Sequence, residues 1–430
     1  MDLMPLAVFT LLLFLNVPVA IATAIGALTF FFNQTGLPMP IFPQRLIASA
    51  DSFPLLAIPM FTLGGVIMNH SGISRRLLNL AESLVGHLPG ALAQANIVLA
   101  TLMGFETGSA NADCAMQSKL LGQNMVKRGY DPPFVAAIIA ASAVISPMMP
   151  PGLGFVIFGY LANVSVGRLF LAGILPGFIL AGCMMVLVHF IAKRRGYKPS
   201  RPRRAKPIEL AVAFREAAWA LTVPVIIILG LRYGIFTPTE AGAVIVVYST
   251  AVGAFIYRDL RLSQTVEILT EAALTTSLVM LIICASDSLG FYMALERVPT
   301  RTAEFLTSLT TSPLIMLMLI NVFLLVLGTF FESLAALILL TPILAPVGIA
   351  LGIDPVHLGV IIVLNLTIGA ITPPVGTLIF IACGVLNVNI RDLTRAAIPF
   401  MILQICVLFL LTLFPALVLA LPNYLMGVGR

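Results

Sequence analysis

The stretches SAVISPMMPPGLGFVIFG, at residues 142–159, and NLTIGAITPPVGTLIFIA, at residues 365–382, decide the architecture of this chain. Each is an apolar run interrupted by a Pro-Pro pair, and the pairs Pro150–Pro151 and Pro373–Pro374 lie 223 positions apart. Backbone groups freed inside a membrane are tolerated only where they are buried in protein or line a cavity. An ordinary proline kink is the alternative, but two matched pairs favour discontinuous helices.

The composition around these breaks is that of a membrane protein. Of 430 residues 60% are hydrophobic and only 10% are charged, with a mean hydropathy of +1.07. Soluble domains are roughly 25% charged. The composition therefore excludes a soluble enzyme, a nucleic-acid-binding protein and a disordered chain. It predicts an all-α polytopic membrane protein. A span needs about 20 residues, and at roughly 35 residues for each span with its connection the length accommodates about 11–12 transmembrane segments.

The positive charge is concentrated in one segment. Residues 193–206 read KRRGYKPSRPRRAK and hold eight of the 24 basic residues. The positive-inside rule predicts that 193–207 is a cytoplasmic loop. The loop divides the chain into a first half, 1–192, and a second half, 208–430. A cleavable signal peptide would require basic residues at its start, but no basic residue precedes Arg45. The first apolar segment, 3–32, is therefore expected to remain as a helix.

The offset of 223 residues recurs outside the Pro-Pro pairs. The same residue type recurs 223 positions later for five further residues: Gly129, Asp131, Pro132, Arg168 and Pro176. Internal repeats with a broken apolar segment in each half are typical of secondary transporters, which bind substrate at the breaks. Whether the repeats are parallel or inverted stays open at this point.

Polar residues collect beside the breaks. Residues 104–113 read GFETGSANAD, and 328–333 read GTFFES, in which Glu332 lies 223 positions after Ser109. Thr372 and Thr377 add hydroxyls beside the second Pro-Pro pair. Hydroxyls and freed carbonyls are oxygen ligands that suit Na⁺. The alternative is a polar surface loop followed by an N-capped helix.

Other functions remain in view. No glycine is followed by lysine, so the G-x-x-x-x-G-K-[ST] phosphate-binding loop is absent. A proton-coupled carrier would use Glu106 or Glu332 as the proton site, because acids within apolar segments are costly and usually functional. A membrane platform without transport and a plain channel are both disfavoured by the paired breaks.

Three long stretches resemble one known family. They are MNHSGISRRLLNLAESLVGHLPGALAQANIVLATLMGFETGSANAD (68–113), KRGYDPPFVAAIIAASAVISPMMPPG (127–152) and GIDPVHLGVIIVLNLTIGAITPPVGTLIF (352–380). They are similar to the large membrane subunit of the tripartite ATP-independent periplasmic (TRAP) transporters, the DctM-like family. The resemblance covers nearly the whole chain.

The resemblance implies two inverted repeats with re-entrant hairpins, and an elevator-type motion of a transport domain against a scaffold. It implies Na⁺-coupled uptake of an organic acid, such as a C4-dicarboxylate or a sialic acid, across the bacterial inner membrane. The partners would be a small four-helix membrane subunit on a separate chain and a periplasmic substrate-binding protein. No nucleic acid and no cofactor beyond Na⁺ as coupling ion are expected.

The candidate binding residues come from the breaks and from the family pattern together. The coupling Na⁺ is expected near Thr107, Ser109, Gly328 and Thr372. The pattern departs from the family at two places: Thr107 stands where serine is common, and Gly152 where serine is usual. The candidates for binding substrate and ion are Thr107, Gly108, Ser109, Asp113, Pro150, Pro151, Gly328, Glu332, Thr372, Pro373, Pro374, Gly376 and Thr377.

Overall fold

The computed structural model describes residues 3–15, 17–33 and 38–427, and all regular structure in these ranges is helical. The α-helices are α1 (Met4–Phe14), α2 (Val19–Asn33), α3 (Ile41–Ala48), α4 (Ala57–His70), α5 (Ile73–Val85), α6 (Ala91–Thr107), α7 (Ala110–Gln117), α8 (Gln123–Lys127), α9 (Pro132–Ala143), α10 (Leu153–Ala162), α11 (Val166–Arg195), α12 (Pro207–Arg232), α13 (Pro238–Ala251), α14 (Thr265–Leu295), α15 (Val298–Leu309), α16 (Pro313–Gly328), α17 (Ser333–Ala350), α18 (Pro355–Gly369), α19 (Thr377–Leu386), α20 (Ile390–Leu413) and α21 (Pro415–Met426).

Among the described residues, seven helical segments are long and apolar enough to cross a membrane. An eighth span results if the pair Pro132–Met148 and Leu153–Ala162, bent by 44°, is taken as one. Six further apolar helices are only 10–17 residues long, which is below the roughly 20 residues of a full span. The all-α polytopic fold is thus confirmed, and the number of 11–12 crossings stays a prediction.

The first apolar segment differs from its predicted form. It was expected to be one helix over 3–32, but α1 ends at Phe14 and α2 begins at Val19, and the two pack against each other. Pro18 directly precedes α2. Because the residue before a proline is disfavoured in the α-region, a proline inside an apolar run separates two helices that hydropathy alone merges.

The helix boundaries repeat along the chain. Helices α7 and α17 begin at Ala110 and Ser333, and helices α9 and α18 begin at Pro132 and Pro355, so both pairs of starts are 223 residues apart. Each of α9 and α18 is followed by a Pro-Pro break, a short helix of 10 residues (α10 or α19) and a long helix (α11 or α20). The repeat predicted from isolated residues therefore extends to the helices themselves.

The two series of helices pack on each other reciprocally. Helix α9 contacts α19 and α20, and its counterpart α18 contacts α10 and α11. Likewise α7 contacts α19, while α17 contacts α10. Each half therefore packs its helix that leads into the break against the helices that follow the break in the other half.

Helices α9 and α18 begin at opposite ends of α11. Asp131, just before α9, forms an ion pair of 3.0 Å with Arg195 at the C-terminal end of α11. In the second turn of α18, a Cβ built on Gly359 would lie 2.9 Å from the Leu169 side chain, near the N-terminal end of α11. A helix of 30 residues is about 45 Å long, so the two starts are far apart.

A buried polar link joins corresponding helices in each half. In the first half Asn96 of α6 donates to Ser142 of α9 at 2.6 Å. In the second half Asn365 of α18 donates to the side-chain oxygen of Asn321 on α16 at 2.9 Å. Ser142 and Asn365 are again 223 positions apart. These hydrogen bonds fix the axial position of α9 against α6 and of α18 against α16.

Candidate functional site

The break between α6 and α7 lies directly against the first Pro-Pro break. Gly108, between the two helices, has a φ of +55°. A Cβ built on it would lie 2.3 Å from the carbonyl oxygen of Pro151 and 2.9 Å from the Cα of Gly152. Only glycine fits, because the backbone conformation is left-handed and the space is taken by another backbone.

A buried hydrogen bond fixes the two sides of this break. Thr107 is the last residue of α6, and its hydroxyl donates to Oδ1 of Asp113 in α7 at 2.6 Å. Asp113 is fully buried, and its Oδ2 has no hydrogen-bond partner among the described residues. Ser109 begins α7 by accepting from the Ala112 amide at 3.4 Å. An N-capped helix therefore begins inside the polar segment, with Asp113 buried, Ser109 half-buried and Ala112 exposed.

The equivalent break in the second half lies between α16 and α17. Glu332 caps α17, and its Oε2 accepts from the Ala335 amide at 2.9 Å. Ser333 donates to the Leu366 carbonyl of α18 at 3.0 Å. A Cβ built on Gly328 would lie 3.2 Å from the Cα of Gly369, so α16 and α18 meet closely at this point.

The two breaks face each other across shared cavities. A small cavity of about 50 Å³ is lined by Ser109, Asn111, Glu332 and Ser333 among others. Ser109, Asn111 and Glu332 also line a larger, mostly apolar cavity of about 730 Å³, which Thr107 joins. The N-termini of α7 and α17 therefore converge on one space. Helix N-termini carry partial positive charge and attract anions.

The predicted residues divide into two sets. Thr107, Gly108, Ser109 and Glu332 line at least one of the two cavities. The others support the breaks without lining either cavity; they are Asp113, Pro150, Pro151, Gly328, Thr372, Pro373, Pro374, Gly376 and Thr377.

Within the supporting set, the residues at the second Pro-Pro pair differ in burial from those at the first. Pro373 and Pro374 are exposed. Thr372 is half-buried in the turn after α18, and its hydroxyl donates to the Ile368 carbonyl of that helix at 2.9 Å. Thr377 still connects the halves, because its hydroxyl donates to Oδ1 of Asn111 at 3.5 Å.

Some lining residues were missed from the sequence. Asn111 lies inside the polar segment 104–113, and Ser333 directly follows Glu332. The polar segments therefore include both residues, although neither is among the predicted binding residues. Thr367, which lines the small cavity, lies on α18 ahead of the Pro-Pro pair and carries no local motif. Its role follows only from the packing of α18 against α17.

The fold and the site together define a class of protein. Two related series of helices, each broken where a helix N-terminus faces a shared cavity inside an apolar bundle, are typical of secondary transporters. The family model described as "Tripartite ATP-independent periplasmic transporter, DctM component" matches residues 6–417. The chain belongs to this family, which confirms the resemblance.

Individual relatives agree. The chain is 40% identical over 423 residues to the sialic acid TRAP transporter large permease protein of Vibrio cholerae, covering 97% of this chain and 98% of that one. It is 42% identical over 410 residues to the isethionate TRAP transporter permease protein of Oleidesulfovibrio alaskensis. That match covers 95% of this chain but only 64% of the longer relative.

A solved structure shares the fold at low sequence identity. The YdaH transporter of Alcanivorax borkumensis matches with a TM-score of 0.61 and 15% identity, covering 86% of this chain and 87% of that one. By its family match and these relatives, the chain is a multi-pass membrane component of a bacterial transporter family and not an enzyme.

Proposed function

We propose that this chain is the large permease subunit of a TRAP transporter that takes up an organic acid, driven by Na⁺. The names of its relatives specify isethionate, sialic acid and C4-dicarboxylates, which share an acidic group. The observation that carries the proposal is the convergence of the N-termini of α7 and α17, capped by Ser109 and Glu332, on one cavity.

The chemistry of this cavity suits an anion together with a cation. The half-helix N-termini would stabilise the substrate carboxylate. Glu332, which lines both cavities, and Asp113, in the first turn of α7, would repel that carboxylate unless positive charge accompanied it. We assign this role to Na⁺ held near Thr107, Ser109, Gly328 and Thr372. Each positive charge moved inward gains about 2.3 kcal/mol per 100 mV, so two or more Na⁺ per anion would drive uptake.

The arrangement of the halves supports alternating access. Helices α9 and α18 begin at opposite ends of α11 and make reciprocal contacts, as inverted repeats would. We therefore propose an elevator-type motion of a transport domain against a scaffold. The proposed location is the bacterial inner membrane with 193–207 in the cytoplasm, and the proposed partners are a small four-helix membrane subunit and a periplasmic binding protein.

The test is uptake into proteoliposomes containing both membrane subunits, with the binding protein added outside. We expect uptake to require an inward Na⁺ gradient, and uptake that persists without Na⁺ contradicts the coupling. Ser109→Ala and Asp113→Asn are expected to lower uptake at least tenfold. Ser308→Ala is the matched control, because Ser308 is exposed and donates only to the Phe305 carbonyl of its own helix.

Proton coupling is the second candidate, and Glu106 favours it. Glu106 is 2% exposed, and neither of its carboxylate oxygens has a hydrogen-bond partner among the described residues. An unpaired buried carboxylate is costly, and binding a proton would remove its charge. Uptake measured at fixed Na⁺ over a range of pH separates the candidates: proton coupling predicts a dependence on the proton gradient that Glu106→Gln removes.

A further inference from the structure

A second, polar cavity of about 840 Å³ lies between the C-terminal end of α4, α5, the N-terminal half of α12 and the turn that follows α13, and it shares Asn69 with the larger cavity of the candidate site. The basic segment 193–206 lies on the same side of the bundle, because the Arg201 amide donates to the Gly86 carbonyl at the end of α5 at 3.0 Å. Neither the repeat nor the candidate transport site accounts for this cavity.

Its walls have the character of a membrane interface. Helix α5 buries Ile73, Leu77 and Leu80 and exposes Arg75 and Asn79, as an amphipathic helix lying along a membrane surface does. On α12, Val212 and Trp219 are 51% and 45% exposed and line the cavity. Tryptophan is favoured at the level of the lipid headgroups.

The charges inside the cavity are not balanced. Arg76 forms an ion pair of 2.7 Å with Asp259, and its guanidinium lies 3.9 Å from the centre of the Tyr257 ring. Arg75 and Arg215 form no ion pair within the part of the chain that the structure describes. Glu216 lines the same cavity and is the only other acid there. The three arginines exceed the two acids by one positive charge, and the guanidinium groups of Arg75 and Arg215 are available to hold an anion.

We propose that this cavity binds the phosphate of an anionic phospholipid, held by Arg75 and Arg215, with the acyl chains lying along Val212 and Trp219. The planar guanidinium matches a phosphate with paired hydrogen bonds. The volume lies in the range of small-molecule sites, roughly 300–1,000 Å³. Basic pockets between membrane helices bind anionic headgroups. A free phosphate would satisfy the arginines equally well, but the exposed apolar rim favours a lipid.

Trp219 provides a direct readout, because it is the one tryptophan of the 430-residue chain. The full-length chain would be placed in nanodiscs with either phosphatidylglycerol or phosphatidylcholine brominated on the acyl chains. We expect brominated phosphatidylglycerol to quench Trp219 fluorescence at a mole fraction at least threefold lower than brominated phosphatidylcholine. Removing both free guanidinium charges, in the Arg75→Gln/Arg215→Gln variant, is expected to abolish this preference.

The matched control is the Arg203→Gln/Arg204→Gln variant. It removes the same charge from the same side of the bundle, at exposed residues that do not line the cavity, and should keep the preference. Equal quenching of the wild-type chain by the two lipids overturns the proposal without any variant. So does loss of the preference in the control, or relief of the phosphatidylglycerol quenching by millimolar inorganic phosphate, which would assign the cavity to a soluble anion.

Discussion

The two Pro-Pro breaks occupy equivalent positions in the repeat but have opposite surroundings. Pro150 and Pro151 are buried, and the backbone of Gly108 packs closely against the Pro151 carbonyl. Pro373 and Pro374 are exposed, as is the adjacent Val375 at 38%. The repeat therefore dictates where each helix breaks, and the neighbouring helices dictate whether the break is covered.

The largest expected difference in stability between the two breaks is at their glycines. Gly108 and Gly376 have nearly equal φ values, +55° and +53°. A Cβ on Gly108 would meet backbone at 2.3 Å, whereas one on Gly376 would have its nearest contacts at 3.0 and 3.1 Å. We expect Gly108→Ala to destabilise the fold by about 3 kcal/mol or more, and Gly376→Ala by about 1–2 kcal/mol. Thermal unfolding of the purified chain in detergent measures both.

Gly182→Ala is the control for this pair. Gly182 lies in α11 with nothing within 4 Å of a built Cβ, so alanine should be neutral or stabilise by up to about 1 kcal/mol. Equal losses for Gly108→Ala and Gly376→Ala would mean that the first break is no more tightly covered than the second.

A smaller effect is expected at the two threonines beside the breaks. Thr107→Val removes the 2.6 Å hydrogen bond to the buried Asp113, and leaving that acceptor unpaired costs about 1–3 kcal/mol. Thr372→Val removes only a bond to the carbonyl four residues earlier in a half-buried position, with a cost below about 1 kcal/mol. Denaturant or thermal unfolding of the two variants compares them, and a larger loss for Thr372→Val would reverse the interpretation.

The smallest difference in stability is expected at the helix caps, and here the larger loss is expected in the second half. Glu332 accepts from the Ala335 amide at 2.9 Å, but Ser109 accepts from the Ala112 amide at 3.4 Å. Loss of a cap costs about 0.5–2 kcal/mol, and a carboxylate also interacts favourably with the helix dipole. Glu332→Ala should therefore cost more than Ser109→Ala in the same unfolding measurement. The reverse order would show that the geometry of the cap does not govern its contribution.

Much of the site could be predicted from local sequence. Gly108, Ser109 and Glu332 stand in polar segments inside apolar runs, and such segments are rare in a chain with 10% charged residues. Thr367 could not be found, because its contribution depends on a contact between helices distant in sequence. The amphipathic helix α5 was also passed over, since scanning for continuous apolar runs does not detect a helix that is apolar on one side.

The sequence by itself determined that this is a membrane protein of two related halves, each interrupted at a Pro-Pro pair. Those properties follow from composition and from the chemistry of proline, which act locally. Only the tertiary structure decided that α9 and α18 begin at opposite ends of α11, that one break is buried and the other exposed, and that Arg75 and Arg215 share a cavity. Burial and juxtaposition depend on which distant helices pack together, and no local pattern records that.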